Sequence, residues 1–179
     1  MPFFHSLNND RMPASLTRLL SDLNTPWKMR LYFLKKLPSC WFWGVRVDKV
    51  DERQATVSIP FRWQNQNPFR SIYFAALCGA AELSTGLLAI AALQGQPPVS
   101  MLVTGLQARF VKKAAGRVTF HCDQGGALQQ TVQRALATGE GQEITVLSTG
   151  TNEAGQTVCE VELTWSFKKK AVKQNAPAA

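Results

Sequence analysis

The sequence is short of acid. Twelve Asp and Glu face twenty Lys and Arg across 179 residues, leaving a formal net charge of +8. Metal and redox patterns are missing too. The four cysteines (Cys40, Cys78, Cys122 and Cys159) form no C-x-x-C pair and no Cys/His cluster, so neither a metal site nor a disulfide framework is expected. Cys78 and Cys159 lie within apolar patterns, as free buried thiols do, which points to a reducing compartment. The opening MPFFHSLNNDRMP lacks the cationic flank, apolar run and small-residue cleavage site of a signal peptide, and a cytoplasmic location is expected. Zinc-finger spacing and RNA-binding aromatic signatures are absent, so nucleic acid is not expected as a partner. There is no internal repeat and no inter-domain linker.

Enough apolar material is present for one core. Hydrophobic residues make up 45% of the chain, and a single domain of this size buries roughly 70% of its unfolded-state surface without a disulfide or metal. The positive charge is uneven. Arg11, Arg18, Lys28, Arg30, Lys35 and Lys36 precede the expected core, and Lys168, Lys169, Lys170 and Lys173 follow it. Such a balance suits polyanions, among them anionic lipid and coenzyme A, or serves solubility alone.

Hydrophobic spacing places the elements. Leu16, Leu19, Leu20 and Leu23 recur at helical intervals, and Thr25-Pro26 reads as a cap followed by proline at the first helical position. Residues 14–37 are therefore read as two short helices broken near Pro26. The second is basic and amphipathic. It could lie weakly on a membrane surface or cap the domain's own core, and the core-capping reading is preferred. VRVDKV and ATVSIPF flank Asp51-Glu52-Arg53 as a hairpin, with Pro60 marking an edge or a bulge. SMLVTGLQARFV is a long strand, and RVTFHC after Gly116 is expected to pair with it. LQQTVQRALA is a short helix ended by Gly139, and EITVLSTG and TVCEVELTWSF form a last hairpin around TNEAGQ.

The clearest alternation puts Cys159, Val161, Leu163, Trp165 and Phe167 on one strand face. Trp41, Trp43 and Trp63 bracket the first hairpin and are expected in the core or at a subunit seam. His121 should face outward. Antiparallel hairpins around a single long helix argue an α+β fold, not a parallel sheet. The expected organisation is a helical extension over 1–39 packing on the core, a core domain over 40–168 and a basic disordered tail over 169–179.

From Ser71 through Ala108 the one charged residue is Glu82. Ser71 is expected to cap a helix that runs to about Leu93, apolar nearly all round and ended by Gln94-Gly95 and Pro97-Pro98. A helix without a polar face either spans a membrane or forms the centre of a domain. About 20 apolar residues span a bilayer, but an acid at the midpoint costs roughly 3 kcal/mol, and the rest of the chain reads as a sheet. The buried centre is the preferred reading. A carboxylate there must protonate, find a partner, or lie at a cleft or subunit interface. Perturbed carboxylates concentrate at functional sites.

The segment NQNPFRSIYFAALCGAAELSTG has Asn67 ahead of the helix and Glu82 fifteen residues later within it. It resembles the central-helix region of PaaI-like acyl-CoA thioesterases and related thioesterase-like domains of the hotdog-fold superfamily. LQARFVKKAAGRV resembles the strand and turn that follow, and the resemblance covers about residues 40–168. It implies a hotdog fold, in which an antiparallel sheet wraps a long central helix. It also implies a homodimer or dimer of dimers with active sites where the subunits join.

The implied activity is hydrolysis of an acyl-CoA or acyl-carrier thioester, with no cofactor beyond the coenzyme A of the substrate. Glu82 would be general base or nucleophile, and Asn67 would orient the water or the carboxylate. Backbone N–H groups near Tyr73 and Phe74 of the other subunit would hold the oxyanion. Arg109, Lys112 and Lys113 fall where several members hold coenzyme A phosphates, or form a solvated strand end, and Arg70 could meet a phosphate at the helix mouth or pair with an acid. The sequence departs from the pattern in one place. Many members carry a Gly-rich, often His-containing turn at the helix start, whereas this chain has Arg70-Ser71-Ile72-Tyr73-Phe74-Ala75. That bulkier turn leaves a non-catalytic acyl or CoA binder as the alternative reading.

Overall fold

The computed structural model describes residues 13–171. Three helices lead: α1 (Ala14–Leu23), α2 (Pro26–Lys36) and α3 (Pro38–Trp43). Proline opens α2 and α3 at the first helical position, where its missing N–H leaves no bond unmade. Thr25 precedes α2 as expected, but its hydroxyl donates back to Ser21 O at 2.7 Å and not into the helix. α1 turns Leu16, Leu20 and Leu23 inward and α2 turns Met29 and Phe33 inward, so these helices share the core of the sheet. Spacing alone does not indicate α3, and the expected boundary at residue 40 falls inside it. Its end is set by Gly44 at φ 73, with Gly44 N–H and Val45 N–H returning to Trp41 O and Cys40 O.

Six strands form one antiparallel sheet: β1 (Arg46–Val50), β2 (Ala55–Ile59), β3 (Val99–Phe110), β4 (Val118–Cys122), β5 (Gln142–Asn152) and β6 (Thr157–Lys169). Their order is β1-β2-β4-β5-β6-β3. The hairpins β1–β2 and β5–β6 form as the alternation predicts. The predicted pairing of β3 with β4 does not. β4 lies between β2 and β5, while β3 runs along β6, with Met101 opposite Phe167 and Ala108 opposite Val161. The connecting segment is the physical reason. Val111 and Lys112 N–H bond Val158 O, and Ala114 O accepts Ile72 N–H, so the chain is tied across the end of the sheet and not folded into a tight turn.

Pro60 marks neither an edge nor a bulge. It follows the interior strand β2 and stops it, whereas the bulge lies in β1 between Val47 and Lys49. At Gly150 a Cβ would stand 2.7 Å from the Phe120 ring, so β4 and β5 can pack there only without a side chain.

α4 (Phe74–Leu93) is the long apolar helix, packed on β2, β4, β5 and β6, with α5 (Gly125–Thr138) beside it. Its mean hydropathy of 1.7 would suit a membrane span, yet 72% of that stretch is buried within the protein. The sheet supplies much of the cover. Cys159, Val161, Leu163 and Phe167 of β6 are fully buried and Trp165 is 2% exposed.

Trp43 packs on the core, but Trp41 and Trp63 are 37% and 72% exposed, so those two do not fill it in this chain. His121 faces outward. β6 extends to Lys169, one residue into the expected tail, while residues 172–179 of that tail, with Lys173, and Arg11 near the start lie outside the described residues. One edge of the sheet is β3. Its Leu106 and Phe110 lie opposite the buried Leu163 and Cys159 yet remain 50% and 45% exposed.

Candidate active site

Glu82 lies just past the second turn of α4, with a glycine one turn to either side. A Cβ on Gly79 would meet the Trp43 ring at 3.0 Å. One on Gly86 would meet Glu82 Oε1 at 3.2 Å and the Trp165 ring at 3.5 Å. The two glycines therefore admit an indole from α3 and another from β6 close to the helix near Glu82. Trp165 is fixed there, because its Nε1 donates to Thr85 Oγ1 at 3.0 Å and that hydroxyl donates to Glu82 O at 2.9 Å.

The carboxylate itself is half-buried, and burial raises its pKa above the ordinary glutamate range. Among the described residues no hydrogen bond or cation offsets that shift. Cys40 of α3 is a neighbour: burial, with a smaller contribution from the Glu82 charge, pushes its thiol up to about 11.

The helix mouth is built differently from the sequence expectation. α4 starts at Phe74, and Ser71 belongs to a turn closed by Asn67. Asn67 Oδ1 accepts from Phe69 N–H at 3.0 Å, Ser71 N–H at 3.3 Å and the Ser71 hydroxyl at 3.2 Å. Arg70 takes the left-handed conformation at the corner, φ 57. Ile72 N–H then donates to Ala114 O at 2.9 Å and Tyr73 N–H to Asn65 O at 2.7 Å.

Tyr73 N–H is thus already used and is no oxyanion donor. Phe74 and Ala75 N–H have no acceptor among the described residues, as first-turn amides do not, so the available pair moves one residue along. Asn67 Oδ1 is committed to the turn, while its Nδ2 has no acceptor among the described residues.

Asn65 escaped sequence reasoning. It is 2% exposed, and its Nδ2 donates to Trp43 O at 3.1 Å and Pro60 O at 2.7 Å while its Oδ1 accepts Arg62 N–H at 3.0 Å. It ties the end of α3, the end of β2 and the start of α4 together. Nothing in the run QNQN distinguishes it. Gly79 and Gly86 did carry a signal, since glycine within a helix costs about 1 kcal/mol relative to alanine.

A cleft of about 400 Å³ opens at the mouth, and its lining brings together Asn67, Phe74, Phe110, Lys112 and Lys113. Lys112 Nζ also donates to Gln156 Oε1 at 2.7 Å. Arg109 lies outside the cleft, its guanidinium paired with Glu160 of β6. Arg70 is exposed on the turn. Glu82 is not part of the cleft: Phe74 and Glu82 are eight residues apart, about 12 Å along the axis. The free N–H pair and the carboxylate of one chain cannot meet on one carbonyl group.

Residues 26–167 match a family model described as a domain of unknown function, DUF4442. The chain belongs to the DUF4442 family. The match starts at α2, so the DUF4442 region takes in α2 and α3 together with the sheet. No curated protein matches the sequence. Among solved structures, a Pseudomonas aeruginosa protein of unknown function, described as a probable thioesterase, is 17% identical with a TM-score of 0.64, over 81% of this chain and 97% of that one. A Chlorobaculum tepidum protein of unknown function is 16% identical with a TM-score of 0.69, over 84% and 99%. A Haemophilus influenzae thioesterase is 12% identical with a TM-score of 0.56, over 81% and 92%. The DUF4442 chain has the α+β hotdog fold shared by these solved structures.

Proposed function

We propose that this protein hydrolyses acyl-CoA or acyl-carrier thioesters, with Glu82 as general base or nucleophile. The observation that carries this reading is the Glu82 carboxylate, half-buried, raised in pKa, and without a donor or cation beside it among the described residues. A buried carboxylate kept for structure is ordinarily hydrogen-bonded or paired. An unpaired one in a fold shared with thioesterases is suited to take a proton from water. A further parallel supports it. A Staphylococcus aureus thioesterase of 15% identity has been crystallised as a glutamate-to-alanine and as a glutamine-to-alanine variant, at positions fifteen apart. Asn67 and Glu82 have the same spacing.

A second copy completes the site in this proposal. The open β3 edge, with Leu106 and Phe110 half-exposed on its inner face, is the surface through which two sheets would join. Glu82 takes a proton from water as its oxygen adds to the thioester carbon. The N–H groups of Phe74 and Ala75 of the partner subunit receive the oxyanion. Collapse breaks the C–S bond, and the leaving thiolate recovers the proton from Glu82. Acting instead as nucleophile, Glu82 would displace the thiolate from the thioester carbon to form an anhydride. Water would then hydrolyse the anhydride, freeing the Glu82 carboxylate and supplying the thiolate's proton. Arg70, Lys112 and Lys113 at the mouth suit coenzyme A phosphates, whereas Arg109 would first have to leave Glu160.

One observation favours a second reading. Phe69, Tyr73 and Phe74 crowd the mouth at 76%, 45% and 55% exposure, which suits retention of an acyl or CoA-like ligand without turnover. An acyl-thioester panel run with native mass spectrometry separates the two. Turnover supports hydrolysis, and a retained ligand without turnover supports the binder.

A further inference from the structure

α2 presents apolar side chains in two directions. Met29 and Phe33 enter the core, while Trp27, Leu31 and Leu34 point outward at 66%, 44% and 50% exposure. Their spacing of four and three residues places them on one stripe. Lys28 and Lys35 flank that stripe on one side and Arg30 on the other, with Lys36 closing the helix, and α2 contains no acid. Asp22 of α1 is engaged by Lys28 at 2.5 Å. The Arg30 guanidinium lies over the Trp41 ring at 5.7 Å and carries the surface onto α3, where Trp41 and Phe42 are 37% and 47% exposed.

Exposed apolar patches of this kind mark contact sites, and charge decides what this one contacts. A second copy docked face to face would set Lys35, Lys36 and Arg30 against their own equivalents with no carboxylate on α2 to meet them. An anionic bilayer satisfies both halves of the pattern. Trp and Leu enter the headgroup–acyl boundary, and Lys and Arg extend to the lipid phosphates. We propose that the outer face of α2, with Trp41 and Phe42 beside it, docks the protein on an anionic lipid surface. The proposal goes beyond the thioesterase reading and does not depend on it.

Co-sedimentation of the full chain with vesicles tests it, using equimolar phosphatidylcholine and phosphatidylglycerol against phosphatidylcholine alone. Binding to the anionic vesicles should weaken with salt. It should fall by at least about ten-fold in W27E/L31E/L34E, whose thermal transition should stay close to wild type because none of the three side chains is in the core. K35E/K36E leaves the apolar stripe intact and should lose the preference for phosphatidylglycerol. Wild-type protein that binds neither vesicle, or variants that bind as wild type does, would overturn the proposal. So would a triple variant that changes the oligomeric state in light scattering when the wild type does not sediment with vesicles.

Discussion

Gly86 stands one turn beyond Glu82, where a Cβ would come within 3.2 Å of the Glu82 carboxylate. Gly86→Ala must therefore displace that carboxylate by a few tenths of an ångström, while the Trp165 ring at 3.5 Å is in ordinary contact. Alanine also favours the helix by about 1 kcal/mol. Thermal stability should be kept or slightly raised, and kcat/KM should fall by roughly 3- to 10-fold, since small misplacements of a reacting group are costly. Calorimetry beside thioester kinetics checks this, and equal loss of stability and activity would count against a positional effect.

The raised pKa of Glu82 has two consequences of opposite sign. A base must be ionised, so kcat/KM should drop, as pH falls, at a pH above the ordinary glutamate range. Stability runs the other way. A carboxyl group whose pKa is raised in the folded state helps most below its unfolded pKa, and that help is lost as pH rises through the folded value. Glu82→Gln removes the loss, so it should melt above wild type at neutral pH and converge with it in acid. A variant less stable than wild type at neutral pH would show that the carboxylate is structurally paired.

Phe74 separates an amide from a ring. Tyr73 ahead of it has φ −62 and ψ 133, a conformation that proline at 74 accepts, and Phe74 N–H has no partner among the described residues. Phe74→Pro should therefore fold and lose roughly 10²- to 10³-fold in kcat, as removal of an oxyanion donor does. Phe74→Ala keeps the amide and should lose far less. If the site crosses the subunit boundary, mixing and reassembling the Phe74→Pro and Glu82→Gln chains should restore about one quarter of wild-type activity. Mixtures as inactive as their components would place both groups in separate roles.

Asn65 should be worth more to stability than any polar residue at the mouth. Asn65→Ala strands the carbonyls of Trp43 and Pro60 and the Arg62 amide in a site that is 2% exposed. The expected loss is about 2–4 kcal/mol, read by denaturant or thermal unfolding. A loss under about 0.5 kcal/mol would mean that water replaces the side chain.

Local spacing made the two hairpins and α4 legible, because alternation in β6 and the unbroken apolar run of α4 each report on their own burial. The partner of β3 was not legible. Its pairing with β6 spans some sixty residues and depends on where the segment after Phe110 is tied down. Ser71 looked like a cap because its type suits one, but Asn67, four residues earlier, competes for its N–H and hydroxyl. Glu82 stood out as a lone acid in an apolar helix. Its neighbours Cys40, Trp43 and Trp165 come from distant segments that no spacing rule joins.

The most direct measurement is steady-state hydrolysis of a broad panel of acyl-CoA and acyl-carrier thioesters by wild type and Glu82→Gln, side by side. Wild type should turn over at least one thioester, and the folded variant should lose roughly 10²- to 10⁴-fold. Turnover of none, or equal turnover by both proteins, would contradict this.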